Sequence, residues 1–135
     1  VRSLTPRVRD PRATFDQRIM ILKKAKEVRP DIMTKSIIML GLGETEEDIT
    51  SAFQELIDAK VDLLTLGQYL APGPGYHPVV SFPEPASFDK LANLAKKMGF
   101  KAIASGPMVR SSYRAESLVA AANGNTIDSG LKVVA

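Results

Sequence analysis

Arg110, Ser111, Ser112 and Tyr113 set a guanidinium, two adjacent hydroxyls and a phenol side by side in an irregular segment from Ser105 to Ala115. Such groups bind and orient a polar ligand. The segment follows a predicted strand from Phe100 to Ala104, and in α/β sheets and barrels ligands collect in the loops beyond the carboxyl ends of the strands. A second reading stands beside this one: Gly106-Pro107 makes a turn and Ser111-Ser112 caps a final helix.

Two other predicted strand ends carry polar groups. Gly41-Leu42-Gly43-Glu44-Thr45 joins a strand to a helix N-terminus, where backbone N–H groups and the helix dipole favour an anion or a polar cofactor head. It has neither the third glycine of a dinucleotide fingerprint nor a Gly-Lys-Ser/Thr, so Rossmann and P-loop readings fail. Glu44 either accepts hydrogen bonds from a bound amine or ribose, or simply complements the dipole. At the neighbouring strand end, Gln68 and Tyr69 follow Gly67, and side-chain alternation lets only one of them face the same mouth as Glu44. His77, the only histidine, sits between Tyr76 and Pro78 and reads as a loop residue. Together the three strand ends bring Gly41, Gly43, Glu44, Gln68, Tyr69 and Ser112 to one face.

The elements that position these groups follow from periodicity and punctuation. Thr14 with Gln17 reads as a capping box, and Ile19, Leu22, Ala25 and Val28 then recur at helical spacing, giving a helix from Phe15 to Arg29 that Pro30 stops. Ser36 to Leu40 is an apolar run suited to a strand buried on both faces. Thr45 with Asp48 repeats the capping signature before the stripe Ile49, Ala52, Phe53, Leu56 and Ile57. Val61 to Leu66 is the second strand. Residues 71 to 86 hold five prolines and two glycines, which fit neither a helix nor a central strand. Ser87 is expected to cap a third helix carrying Phe88, Leu91, Leu94, Ala95 and Met98, with Gly99 as its left-handed stop.

Helix, strand, helix, strand, helix, strand is an α/β order with right-handed parallel crossovers. Three strands cannot close a barrel. The expected fold is therefore an incomplete parallel (β/α) barrel fragment with about three βα units and a flexible C-terminal tail. Residues 1–13 form a basic N-terminal arm, residues 14–116 the barrel part, and residues 117–135 a poorly ordered tail.

Composition narrows the function classes. The 135 residues are 44% hydrophobic and 24% charged with a formal net charge of +3, the balance of one soluble domain. Arg2, Arg7, Arg9 and Arg12 alternate with Pro, Val and Asp rather than lining one helical face, so no nucleic-acid partner is expected. They are either solvated or placed to meet phosphate or carboxylate. No apolar run is long enough for a membrane helix or a signal peptide, and a soluble, intracellular protein is expected. The chain has no cysteine, which removes disulfides, thiolate nucleophiles and thiolate metal ligands, and one histidine cannot build a multi-histidine site. A first residue of Val1 rather than Met hints at processing or an incomplete reading frame.

In order and spacing, five strings resemble the C-terminal half of lipoyl synthase. They are Val8-Arg9-Asp10-Pro11-Arg12-Ala13, Thr34-Lys35-Ser36, Met39-Leu40-Gly41-Leu42-Gly43-Glu44-Thr45, Leu66-Gly67-Gln68-Tyr69-Leu70 and the run from Ala104 to Ala115. The likeness spans about residues 1–116. The Arg-Ser-Ser-Tyr string is a hallmark of that family and not of radical S-adenosylmethionine enzymes in general. One departure is clear: the family's basic residue and His-Leu or His-Met pair after the Gln-Tyr-Leu strand have no counterpart in Pro72-Gly73-Pro74-Gly75-Tyr76-His77-Pro78.

The resemblance implies a partial TIM-type barrel that inserts two sulfur atoms into an octanoyl chain on a lipoyl carrier domain. It implies two four-iron, four-sulfur (4Fe-4S) clusters. One cleaves S-adenosylmethionine to a 5′-deoxyadenosyl radical, and the other is consumed as the sulfur source. The family's cysteine triplets lie upstream of the part seen here, so this chain alone is expected to be inactive. The resemblance places one iron ligand on Ser112, with Ser111 as the alternative. Arg110 would orient that corner or serve a structural salt bridge. It assigns Gly41, Gly43 and Glu44 to the S-adenosylmethionine-side loop and Gln68 and Tyr69 to the pocket wall. Octanoylated lipoyl domains of 2-oxoacid dehydrogenases and the glycine cleavage H protein are the implied partners, with no nucleic acid and no membrane. The implied location is cytoplasmic, or alternatively the mitochondrial matrix. The rival reading is a non-catalytic module that binds S-adenosylmethionine or the carrier, or a fragment that complements a cysteine-bearing partner.

Overall fold

A computed structural model describes residues 1–10, 12–112, 115–124 and 133–134, the last two by backbone alone. Thr14 caps α2 (Phe15–Val28) through a complete capping box with Gln17, and Thr45 does the same for α3 (Glu46–Asp58) with Asp48. Both follow from the sequence because a hydroxyl and a polar N3 side chain satisfy two otherwise unpaired N–H groups. α4 (Pro85–Met98) starts earlier than expected. Glu84 is its N-cap without a side-chain bond, and Pro85 takes the first position, where its missing N–H costs nothing. Ser87 therefore lies inside the first turn. Gly99 ends the helix in the left-handed conformation, φ 117°.

The strands β1 (Lys35–Leu40), β2 (Leu63–Gln68) and β3 (Ala102–Ser105) form one parallel sheet in the order β1-β2-β3. This is the open α/β fragment expected, with β1 as a free edge. Three elements lie in segments read from sequence as arm or tail. α1 (Thr5–Val8) follows a buried Leu4, α5 (Ala115–Ala122) runs past residue 117, and β4 (Val133–Val134) pairs antiparallel with β3. Each of the two helices is anchored by an apolar residue that leaves water, Leu4 for α1 and Leu118 for α5.

Both faces of the sheet are covered, as parallel strands require. On one face Ile38, Leu40, Leu64, Leu66 and Ile103 pack against α2, α3 and α4 around an edge-to-face pair, Phe53 and Phe100, with ring centroids 5.9 Å apart. On the opposite face Leu63, Ala102 and Ala104 take Val109 and Leu118. Within α2 the inward stripe is Ile19, Leu22 and Lys26, whereas Val28 is 68% exposed. Nine residues at about 100° each turn Val28 to the far side from Ile19.

The inward Lys26 meets Asp62, which is only 6% exposed. Lys26 Nζ stands 2.6 Å and Lys101 Nζ 2.8 Å from its carboxylate, and the Thr34 N–H donates to it at 2.9 Å. One carboxylate thus fastens α2 and the starting ends of all three parallel strands. Burial raises its pKa, but the bonds from Lys101, Lys26 and Thr34 outweigh that and bring it down to about 2.

Of the early arginines, Arg2 pairs with Asp16 and Glu55 and lies over the Phe15 ring, and Arg12 forks onto Asp10. Their carboxylates come from this chain itself.

Candidate functional site at the strand ends

β1 runs into Gly41 at φ 98°, and Gly43 follows at φ 101°, a conformation that side chains disfavour. Glu44 closes this loop on itself. Its Oε1 accepts from the Gly41 N–H at 2.6 Å and its Oε2 from the Leu42 N–H at 2.9 Å. An ionised carboxylate has further lone pairs, so Glu44 can still meet a ligand. It lines a cavity of about 330 Å³ with Arg9, Arg18, Leu42, Tyr69 and Tyr76, which extends along the free edge of β1.

The alternation question resolves in favour of Tyr69. Gln68 is 5% exposed and turns under the proline-rich excursion, donating from Nε2 to the carbonyls of Ser81 at 3.2 Å and Tyr69 at 2.9 Å. A Cβ on Gly41 would overlap both the Ser81 oxygen and Gln68 Nε2, so Gly41 and Gln68 jointly admit the returning chain. Tyr69 faces the cavity, and its hydroxyl donates to the His77 carbonyl at 2.9 Å. A ring nitrogen of His77 lies 2.8 Å from the Pro78 carbonyl.

The third strand end behaves differently. Gly106 N–H donates to Leu66 O at 3.1 Å and Gln68 N–H to Pro107 O at 3.3 Å, which ties the loop to the end of β2. Val109 is then buried on the face opposite α2, α3 and α4, and its carbonyl presses onto Gly67, where a Cβ would overlap it. Arg110 folds back, Nη1 donating to Val109 O at 2.8 Å and Pro107 O at 3.2 Å, and it forms no ion pair among the described residues. Among the described residues Arg110 thus serves as a clamp on its own loop.

Ser111 and Ser112 are exposed, and their hydroxyls have no hydrogen-bond partner among the described residues. The Ser111 carbonyl accepts a hydrogen bond from Lys35 Nζ on β1. Tyr113 and Arg114 lie outside the described residues. Gly41, Gly43, Glu44, Gln68 and Tyr69 are therefore gathered at the ends of β1 and β2, but of the predicted site residues only Glu44 and Tyr69 line the cavity, and Gly41, Gly43, Gln68 and Ser112 do not.

No protein-family model matches the chain. Curated proteins do. A lipoyl synthase of Thermus thermophilus is 53% identical over 116 residues, which is 86% of this chain and 36% of that protein. The chain belongs to the lipoyl synthase family. The lipoyl synthase of Halorhodospira halophila is 47% identical over 119 residues, 88% of this chain and 36% of the relative. The protein of Toxoplasma gondii named lipoyl synthase, apicoplast, is 51% identical over 115 residues, 85% of this chain and 21% of the relative. The chain thus spans well under half the length of the lipoyl synthases it matches, from 21% to 43%.

Among the described residues no three His, Cys, Asp or Glu side chains group to hold a metal, and no helix is long and apolar enough to cross a membrane. The Ser112 hydroxyl, exposed and without a hydrogen-bond partner among the described residues, is a single oxygen donor. The chain has no cysteine and so offers no thiolate ligand beside it. Three structural residues escaped the sequence reading. Asp62 sat unremarked between Val61 and Leu63, although a charge in an apolar strand signals a buried pair. Nothing local gives Lys35 or Gly67 a role, because their partners Ser111 and Val109 lie far along the chain.

Proposed function

We propose that this chain is the part of a lipoyl synthase that supplies the serine ligand of its sulfur-donating cluster and one wall of its S-adenosylmethionine site. The observation that carries the reading is the Ser112 hydroxyl, exposed and without a hydrogen-bond partner among the described residues, directly after a loop clamped to β2 in a chain 53% identical to a lipoyl synthase over 116 residues.

Serine is a hard oxygen donor that must lose its proton to ligate iron, and it is more readily replaced than a thiolate. When bound, the family's two 4Fe-4S clusters and S-adenosylmethionine supply the radical and the sulfur for insertion into an octanoyl chain. This chain's residues hold and orient. Arg110 fixes the loop before the serines through two carbonyls. Glu44 holds the turn that contains Gly41 and Gly43, and Tyr69 walls the cavity while Gln68 fastens the excursion beside it. The substrates are octanoylated lipoyl domains of 2-oxoacid dehydrogenases and the glycine cleavage H protein. The compartment is the cytoplasm, with an organelle as the alternative that the Toxoplasma gondii relative's name illustrates.

Lacking cysteine, the chain by itself should bind less than stoichiometric iron and sulfide. Grafted in place of the matching segment of the Thermus thermophilus relative, it should support conversion of an octanoylated carrier domain to its lipoylated form, and Ser112→Ala should abolish that conversion. A folded, cluster-loaded graft with no activity, or full activity in Ser112→Ala, would refute the reading.

A further inference from the structure

Every contact that clamps the loop after β3 ends at Arg110. Gly106 and Pro107 bond to β2, Val109 is buried, and Arg110 bonds back to Pro107 and Val109. Ser111 and Ser112 lie beyond that clamp, and both are exposed. Among the described residues one side chain still reaches them: Lys35, the first residue of β1, whose Nζ donates to the Ser111 carbonyl.

We propose that Lys35 is the positioning residue for the ligand-bearing serine, holding the Ser111 carbonyl against β1 and so fixing where the Ser112 hydroxyl stands. The peptide group is planar, so an anchored Ser111 oxygen also sets the plane that contains the Ser112 nitrogen and Cα. Only the Ser112 φ and χ1 angles then remain to aim its oxygen. The face is right as well. Ile38 and Leu40 point into the helix-side core, so alternation puts Lys35, Ile37 and Met39 on the face where Val109 is buried. An ammonium–carbonyl bond is charge-assisted and stronger than a neutral one. The fixed positive charge also favours the anionic oxygen that an iron-bound serine presents. Lys35 donates to the Ser111 carbonyl and not to the Ser112 hydroxyl, so its action on Ser112 is through the backbone.

The inference rests on Ser112 as the ligand, but the positioning is measurable without any cluster. Backbone 15N order parameters in this chain should place Ser112 near the rigid value of about 0.85 and drop it below about 0.6 in Lys35→Met, with the amides of β1 and β2 unchanged. Lys35→Arg, which keeps charge and donors, should restore the rigid value. Lys35→Gln serves the same comparison if Lys35→Met does not fold. An order parameter at Ser112 that stays at the unsubstituted value without Lys35, or that Lys35→Arg fails to restore, overturns the proposal. Failure of the ligand reading shows elsewhere, as an iron spectrum of the grafted enzyme that Ser112→Ala does not change.

Discussion

The carbonyl oxygen of Val109 lies directly on Gly67, so close that a methyl group on that glycine would overlap it. Only a residue without a side chain lets the loop after β3 cross β2 and carry the serines over the sheet. Gly67→Ala should therefore lift the loop or strain β2, costing about 1–3 kcal/mol as overpacking does. Urea denaturation of the purified chain reads that loss. Equal stability with unchanged amide shifts at 106–112 would show that the contact does not constrain the loop.

Asp62 predicts an acid limit to stability. Its folded pKa, about 2, lies below the usual carboxylate value of 3.8, so it contributes stability that is complete above about pH 4 and lost as pH falls toward 2. The shift corresponds to about 2 kcal/mol. Asp62→Asn should remove that pH dependence between 4 and 2. At neutral pH it should also cost about 3 kcal/mol or more, because the largely buried Lys26 loses its only carboxylate partner among the described residues and keeps just the Ile32 carbonyl. Urea midpoints of both proteins from pH 2 to 7 test it, and parallel curves would show that the Asp62 cluster is not responsible.

Glu44 closes its loop with two different oxygens, one for each N–H. Glu44→Gln replaces one acceptor with an amide NH₂, which cannot accept, and leaves one donor unpaired. The expected cost is about 1–2 kcal/mol, with faster hydrogen exchange at Gly41 or Leu42. If exchange at both amides stays slow, the carboxylate is not what holds the turn.

What the sequence reveals and what it hides divide along separation in the chain. The caps at Thr14 and Thr45 and the stop at Gly99 were legible because each depends on residues within one turn. The succession of helices and strands along the chain was legible from equally local periodicity. The Lys35 to Ser111 bond spans 76 residues, and the contacts of Gly67 with Val109 and of Asp62 with Lys26 and Lys101 are likewise non-local. Such pairs appear only once strands are adjacent. A final helix after Ser111-Ser112 was one of two readings, but the extent of α5 past residue 116 was not legible, because Asn and Gly follow its alanines and nothing local shows that Leu118 has a buried place beside Leu63 and Ala102.

The assignment of Ser112 is tested most directly by Mössbauer spectroscopy of 57Fe in the Thermus thermophilus relative carrying this segment. One iron site of the sulfur-donating cluster should be resolved from its thiolate-held neighbours, and Ser112→Ala should remove that distinct site while Ser111→Ala leaves it in place. A spectrum unchanged by Ser112→Ala, with full iron and sulfide content, would contradict the assignment.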